Sequence, residues 1–176
     1  TIRKLKKKRR RLQRQVSRKY QMNKKGESYC KTSNVIKSEK QLLQINHRLT
    51  NIRTNHVHQA TRAIINRKPR FVCLEDLNVQ GMMKNKHLSE KVQEQNFYEF
   101  RRQIKYKAHW VKIPVVIADR WFPSSKTCIE CGHVKKDLKL SDRTYVCPVC
   151  GNVIDRDFQA SLNLKRYGET ELSKSV

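Results

Sequence analysis

The segments Cys128-Ile-Glu-Cys131-Gly and Cys147-Pro-Val-Cys150-Gly, fifteen residues apart and followed by Val153-Ile-Asp-Arg-Asp157, decide the fold. Each Cys-x-x-Cys-Gly segment predicts a tight turn whose glycine lets the backbone approach a metal. Four thiolates at this spacing predict a Zn²⁺ site, and four protein ligands leave no position for water or substrate. We therefore expect a structural zinc site. The alternative is that four cysteines meet without a metal.

The remaining cysteines, Cys30 and Cys73, stand outside this pattern. Because four of the six cysteines suit a metal site, their use indicates a reducing, intracellular setting rather than a disulfide framework. His133 follows the first turn, where it could become a ligand only if a cysteine were displaced, and we expect a surface residue. No apolar run approaches the ~20 residues that a membrane span requires.

The chain of 176 residues carries 40 Lys and Arg against 15 Asp and Glu, a formal net charge of +25. Residues 1–70 hold 22 basic and 2 acidic side chains, whereas residues 71–176 hold 18 and 13. Such an excess of positive charge repels itself unless a polyanion balances it, which favours nucleic acid as the partner. A membrane surface is disfavoured because the basic segments have no cleanly apolar face.

Apolar residues recur at steps of three, four and seven in two basic segments, and this periodicity predicts helices over residues 2–20 and from Ser33 or Asn34 to Pro69. Two helices joined by a loop should pack as an antiparallel hairpin. We interpret this hairpin as an arm that contacts phosphates, so its binding should weaken steeply with salt. The alternative is a solvated charged hairpin without a ligand.

The second part of the chain alternates strand and helix patterns. Phe71-Val-Cys-Leu74 predicts a strand buried on both faces, with Glu75 at its carboxyl end, where α/β sheets place ligand chemistry. A polar loop after Gly81 and a helix from Ser89 to about Ala108 should follow. Residues 110–118 predict another strand, placed at an edge or bulge by Pro114 and closed by Asp119.

The ribbon region predicts a strand at Thr144-Tyr-Val146, which leads into the second cysteine turn. We expect Val153-Ile154 to resume the main sheet and a helix to begin at Asp157. The residues after Gly168 are polar and predict a frayed tail.

Four carboxylates lie at predicted strand ends or helix starts, namely Glu75, Asp119, Asp155 and Asp157. Hydrolysis of a phosphodiester with two Mg²⁺ or Mn²⁺ ions ~4 Å apart needs carboxylates that converge from different elements. In so basic a chain this pattern indicates a metal-dependent nuclease. Each residue also has a simpler interpretation: Asp155 or Asp157 could cap the last helix, Asp119 could pair with Arg120 or a lysine, and Glu75 or Asp76 could begin a turn.

Four motifs occur in order: Cys73-Leu-Glu-Asp-Leu-Asn-Val-Gln-Gly-Met82, Asp119-Arg-Trp-Phe-Pro-Ser-Ser-Lys-Thr-Cys128, Cys131-Gly-His133 and Asp155-Arg-Asp-Phe-Gln-Ala160. Together they resemble the carboxyl-terminal half of TnpB/OrfB proteins, insertion-sequence proteins described as zinc-ribbon transposases and related to the type V CRISPR effector nucleases. The resemblance covers nearly the whole chain, including the basic hairpin.

This resemblance implies an RNase H-like (RuvC-type) nuclease fold interrupted by a zinc ribbon, and an RNA-guided DNA endonuclease that acts in or regulates transposition. By position, Glu75 and Asp157 match catalytic carboxylates that would hold Mg²⁺ or Mn²⁺. Zinc ligands of the family match Cys128, Cys131, Cys147 and Cys150. The implied partners are DNA and a guide RNA, with pairing rather than protein reading the sequence. The implied location is the cytoplasm of a prokaryotic cell, in association with the nucleoid.

The sequence departs from the family pattern at two places. The family's first catalytic aspartate lies in a Gly-Ile-Asp-Leu-Gly-like strand upstream of the basic helices, and no such stretch precedes them here, where the chain begins at Thr1. Gln159 also stands where the family usually has Asn. We therefore expect a portion of a longer protein that binds nucleic acid but cleaves it poorly, because loss of one carboxylate weakens metal binding. The alternative is an inactive zinc-ribbon remnant or regulator.

The expected organisation is an incomplete α/β nuclease core with a basic helical hairpin and an inserted ribbon. We assign residues 1–69 to the hairpin, 70–122 and 151–168 to the RNase H-like core, 123–150 to the zinc ribbon and 169–176 to the tail.

Overall fold

The computed structural model describes residues 2–139 and 141–174, in two compact units, Thr1–Gln59 and Ala60–Val176. Residue 1 and the last two residues of the expected tail lie outside the described part. Within that part, no helix is both long enough and apolar enough to cross a membrane.

The first unit is a helical hairpin. Helix α1 spans Ile2–Met22, strands β1 (Lys24–Lys25) and β2 (Ser28–Tyr29) form a small turn, and helix α2 begins at Ser33. Between the helices, Leu12 packs with Ile45 and Leu49, and Lys19 Nζ donates to Ser38 Oγ at 2.8 Å. Lys19, which follows Leu12 in α1, contacts Ser38, which precedes Ile45 in α2. The two helices therefore run antiparallel, which confirms the predicted hairpin.

The second unit is built on two parallel strands. Helix α2 ends at Asn66, strand β3 (Val72–Glu75) pairs with β4 (Val115–Ala118), and Glu75 lies opposite Ala118. One face of the pair packs on buried Ile104 through Val72 and Leu74. Alternate residues of a strand point to opposite faces, and Cys73 accordingly meets the last helix, α6 (Arg156–Ser173), on the other side. Both faces of β3 are thus in contact with helices, but its residues are half-buried or exposed, so the prediction of a strand buried on both faces is only partly correct.

The segment between these strands differs from the prediction of one loop and one helix. Three helices are present, α3 (Val79–Lys84), α4 (Ser89–Gln95) and α5 (Phe97–Trp110). Gly81 lies within helix α3 rather than in a loop. The Asn78 side chain caps this helix by accepting a hydrogen bond from the Gly81 N–H. Asn96 has a φ of 55° and separates α4 from α5, as its side chain tolerates the left-handed conformation better than most.

The expected strand at residues 110–118 is only partly correct. Helix α5 continues to Trp110, and Lys112, with a φ of 56°, lies in the turn that follows. The strand itself is β4, and Pro114 accepts from Val72 N immediately before it. Because Pro114 precedes β4, the N–H that proline lacks is not needed in the hydrogen-bonded ladder between β3 and β4.

The structure corrects the predicted place of residues 153–154. Strand β6 (Val153–Asp155) pairs antiparallel with β5 (Thr144–Val146), and the described residues form no sheet that joins β6 to β3 and β4. Because only two residues separate Cys150 from β6, the short turn returns the chain onto β5 before it can reach the parallel strands. Residues 153–154 therefore pair with the strand between the two cysteine turns, and the prediction that they resume the main sheet is wrong.

Helix α6 spans Arg156–Ser173 and packs against both β3 and β4. The prediction of a frayed tail after Gly168 is wrong for residues 169–173, which are helical. Gly168 lies against the Phe71 ring and 3.2 Å separates its ideal Cβ position from Cys73 Cβ. This tertiary packing holds the end of the helix, whose polar sequence alone would favour fraying.

Candidate metal centre and acidic sheet edge

Two cysteine turns of similar geometry form the candidate metal centre. Gly132 N donates to Cys128 O at 3.0 Å and Gly151 N donates to Cys147 O at 3.1 Å. Both glycines have positive φ, 75° and 70°, a conformation that glycine adopts without steric cost. The two turns thus present their thiols toward a common point.

The four thiols are close enough to share one metal ion. The Sγ atoms of Cys128, Cys131, Cys147 and Cys150 all lie within 4.8 Å of one another. The pairs Cys128–Cys150 and Cys131–Cys147 are 3.6 and 3.5 Å apart. Tetrahedral Zn–S bonds of ~2.3 Å require sulfur atoms about 3.8 Å apart, so the donor set fits zinc in type, number and spacing.

Backbone N–H groups prepare these thiols for metal binding. Donation from Cys150 and Val149 lowers the pKa of Cys147 to about 6 against the effect of burial. Backbone donation from Asn152 also favours the Cys150 thiolate, but burial and the other three thiols outweigh it and raise the pKa of Cys150 to about 12. A divalent cation at the centre of the cluster would remove the repulsion between thiolates.

Buried side chains pack against the cysteine cluster. The Tyr145 ring is fully buried against Cys128 and Cys147, with Leu138 and Ile154 around it, and its hydroxyl donates to His133 O at 3.3 Å. Burial, reinforced by the neighbouring cysteines, raises the pKa of Tyr145 to about 12. His133 thus contributes its backbone, and the group of four possible ligands contains no histidine.

The carboxyl ends of β3 and β4 form an acidic edge. Asp76 accepts from Arg120 at 2.5 Å and from Arg101 at 2.7 Å, and these two arginines lower its pKa. Asp119 Oδ1 accepts from Trp121 N at 2.7 Å, so this carboxylate closes a local turn instead of pairing with Arg120. Both carboxylates therefore have structural roles.

Glu75 is held differently. Its Oε1 accepts from Ser124 Oγ at 2.8 Å, and the structure records no partner for Oε2 among the described residues. Ser124 is buried, and its carbonyl accepts from Asn163 Nδ2 at 2.7 Å. Sequence reasoning missed both Ser124 and Asn163, since a lone Ser and a lone Asn carry no local signal of a contact made across tens of residues.

The Asp155-Arg156-Asp157 segment divides its two carboxylates. Asp155 caps α6, because its Oδ1 accepts from Phe158 N at 2.8 Å. Asp157 lies in the first turn with 71 % of its side chain exposed, and it pairs with Arg156 at 3.2 Å and Arg143 at 3.9 Å. The interpretation as a helix cap therefore applies to Asp155, which leaves Asp157 as the accessible carboxylate of the pair.

Gln159 lies inside the structure. It is fully buried, its Nε2 donates to Ser125 O at 3.4 Å, and its Oε1 has no hydrogen-bond partner among the described residues. Together with Asn163, which also donates to Thr127 O at 2.7 Å, it joins α6 to the segment before Cys128. The segment begins with Ser124, which bonds to Glu75, and leads into the cysteine cluster at Cys128.

The structure brings the four cysteines together but forms no second group of that kind. Among the described residues, the cysteine cluster is the only set of three or more Cys, His, Asp or Glu side chains placed to share a metal. Glu75 and Asp157 belong to elements that pack on each other, β3 and α6. Among the described residues, neither carboxylate belongs to a group of three or more possible metal ligands.

Sequence comparison identifies known proteins that are similar to this chain. Residues 97–164 match the family model described as "Cas12f1-like, TNB domain". A Streptomyces pristinaespiralis protein named "Putative RNA-guided DNA endonuclease" is 34 % identical over 137 residues, 78 % of this chain and 34 % of that protein. The "TnpB-like protein L79" of Acanthamoeba polyphaga mimivirus is 26 % identical over 133 residues, 72 % of this chain and 25 % of that protein.

The fold also resembles a solved structure. One chain of the cryo-EM structure of a Cas12f1–sgRNA–target DNA complex aligns with a TM-score of 0.58 at 19 % identity, covering 72 % of this chain and 37 % of that one. The chain thus spans about a third of the length of the relatives that it matches.

Proposed function

Because this chain belongs to the TnpB family, we propose that it forms the zinc-ribbon and acidic-edge part of a metal-dependent, RNA-guided DNA endonuclease that acts in or regulates transposition. The observation that carries the proposal is the position of Glu75. It ends parallel strand β3 beside the segment that leads into the four-cysteine cluster, and α6, which bears Asp157, packs on the same strand.

The proposed organisation is an RNase H-like core with an inserted ribbon. Strands β3 and β4 with α5 and α6 would belong to the core, and residues 123–155, which include β6, to the ribbon. The basic hairpin would contact nucleic-acid backbone. Its high positive charge supports this role, since 22 basic side chains within residues 1–70 would attract phosphates and release their counterions.

Zn²⁺ would be held by the four cysteines and would have a structural role, since four protein ligands fill a tetrahedral site. A hard cation, Mg²⁺ or Mn²⁺, would be held by Glu75 and Asp157, whose oxygens are the ligand type that such ions prefer. When bound, it would supply Lewis-acid activation for phosphodiester hydrolysis. The chain's own contribution is to hold Glu75 through Ser124 and to leave Oε2 of Glu75 and the Asp157 carboxylate accessible.

The partners that we propose are DNA and a guide RNA. Support comes from the names of the relatives and from the complex in which the similar Cas12f1 chain was solved. In this proposal the basic side chains bind the phosphates, and base pairing between the two nucleic acids selects the sequence.

A nicking assay on supercoiled plasmid with Mg²⁺ or Mn²⁺ tests the nuclease proposal. Any cleavage by the chain should be lost in Glu75→Gln and in Asp157→Asn, and retained in Asp137→Asn, which alters an exposed carboxylate between the two cysteine turns. Cleavage that survives both substitutions would contradict the assigned roles.

A second function is favoured by one observation. Asp119 and Asp155 are engaged in local turns and caps, and no third carboxylate of the described part joins Glu75 and Asp157. This supports a protein that binds nucleic acid through its basic helices and zinc ribbon without efficient cleavage. Salt-dependent binding with no metal-dependent nicking would identify this function.

A further inference from the structure

Helix α5 carries an aromatic and basic stripe that the functions above do not use. Every fourth residue from Tyr98 belongs to it, and we call these residues the α5 stripe: Tyr98, Arg102, Tyr106 and Trp110. Residues four apart lie on one side of a helix. The opposite side carries Ile104 and Ala108, which are fully buried in the core. The stripe therefore faces away from the sheet.

The side chains of the α5 stripe are arranged in a row. Tyr106 and Trp110 meet edge to face with ring centroids 4.8 Å apart. Arg102 lies over the Tyr106 ring at 5.4 Å, and two hydrogen bonds of 2.8 Å to Glu99 hold its guanidinium. These contacts reduce the side-chain freedom that binding would otherwise remove.

The two ends of the row are accessible. Tyr98 is 69 % exposed and Trp110 73 % exposed. Apart from Glu99, every ionisable side chain of α5 other than tyrosine is basic: Arg101, Arg102, Lys105, Lys107 and His109. Lys105 and His109 are exposed beside the stripe. An open aromatic surface beside exposed basic side chains is complementary to a ligand that is both planar and anionic.

We propose that the α5 stripe is a stacking platform for single-stranded nucleic acid, with the bases on Trp110 and Tyr98 and the phosphates near Lys105. Base faces are available for stacking in a single strand, whereas a duplex hides them. The four Lys and Arg side chains of α5, against one Glu, favour this polyanion over an apolar protein segment. The proposal rests on nucleic-acid binding as proposed above, but it does not require cleavage.

The chain offers a direct optical test, because it contains only two tryptophans, Trp110 and Trp121. In the Trp121→Phe variant of the full chain, all tryptophan emission comes from Trp110. An oligothymidylate of about 12 nucleotides, within the range of known single-strand sites, is titrated into this variant. Binding is followed independently by the anisotropy of a dye on the oligonucleotide.

We expect Trp110 emission to be quenched in step with the anisotropy change, and quenching to be absent with a duplex of the same length. Trp110→Ala should weaken single-strand binding about tenfold, since stacking on one aromatic typically contributes that much, and should leave duplex affinity unchanged. The loss should persist at high salt because stacking is not screened, whereas the effect of Lys105→Ala should fade as salt is added.

The control variant is Val111→Ala, which truncates the neighbouring residue, 53 % exposed, and should bind as the unaltered chain does. Circular dichroism of each variant checks that the helices persist. Unchanged Trp110 emission with bound oligonucleotide, or equal effects of Trp110→Ala and Val111→Ala, would overturn the proposal.

The outcome also separates this proposal from the nuclease function. Quenching without plasmid nicking supports the stacking platform while the nuclease function fails. Nicking without quenching overturns the platform alone. If the chain binds neither single strand nor duplex at low salt, both the platform and the proposed nucleic-acid binding are wrong.

Discussion

Ser124 Oγ donates a 2.8 Å hydrogen bond to Glu75 Oε1, across 49 positions of sequence. Ser124 lies four residues before Cys128, and its carbonyl is held by Asn163 of α6. The end of strand β3 and the last helix therefore both bond to one buried residue, Ser124, the first through its hydroxyl group and the second through its carbonyl. Several variants test how much this junction contributes.

We expect Ser124→Ala to destabilise the chain by about 1–2 kcal/mol, because the hydroxyl group donates to a carboxylate in a partly buried position. Urea unfolding at neutral pH measures the change. Ser125→Ala is the matched control, as it removes a neighbouring hydroxyl group without loss of this bond. If the two variants are equally stable, the Ser124–Glu75 contact contributes nothing. A double-mutant cycle with Glu75→Gln isolates the pair.

Asn163→Ala should cost about 1–3 kcal/mol, because its amide donates to two carbonyls, Ser124 O and Thr127 O, each at 2.7 Å. Without these donors, two backbone acceptors near the ribbon would lose their partner. Thermal unfolding should show the loss, while Lys165→Ala, an exposed position on the same helix, should change little. An Asn163→Ala chain as stable as this control would contradict the role.

Purified chain should contain one zinc ion, and Cys147→Ser should release it. The four thiols lie within 4.8 Å of one another, and a hydroxyl group is a poor substitute for a thiolate ligand. Elemental analysis by mass spectrometry measures the metal content. Cys30→Ser, which alters an exposed cysteine outside the cluster, should keep the zinc. A metal-free but folded parent chain would refute the assignment.

Gly168→Ala should destabilise the chain although alanine favours helices. The added methyl group would overlap the Phe71 ring, and overpacking costs about 1–3 kcal/mol against a gain of up to about 1 kcal/mol in helix propensity. Chemical denaturation provides the measurement. Phe71→Leu in the Gly168→Ala background should restore part of the loss by making space. Additive effects of the two substitutions would show that they do not meet.

Asp76 should contribute to stability in a pH-dependent way. Arg120 first and Arg101 second lower its pKa in the folded chain, so the unfolded chain binds the proton more readily. The stabilisation is therefore present above the unfolded pKa of about 3.9 and is lost as pH falls through the lower folded value. Asp76→Asn should flatten the decline in melting temperature below pH 4. An unaltered acid profile in this variant would contradict the ion pairs.

Local sequence determined those features that need only neighbouring residues. The cysteine turns follow from two short Cys-x-x-Cys-Gly segments, the basic helices from their apolar periodicity, and strand β3 from a continuous apolar run. Each signal lies within one turn or one element, where the number of residues between two side chains largely determines the distance between them in the folded molecule. The position of Glu75 at a strand end was therefore predictable.

Tertiary structure alone decided which polar groups meet. Whether Asp155 or Asp157 capped α6 depended on where the helix began, and whether β6 joined the ribbon or the main sheet depended on its hydrogen-bond partner. The helix beyond Gly168 exists because Phe71 and Cys73 pack against it. Ser124 and Glu75 were both visible in sequence. Their contact was not visible, because no local spacing specifies a partner 49 residues away. Only the packing of β3, the ribbon and α6 together brings the Ser124 hydroxyl group within 2.8 Å of the Glu75 carboxylate.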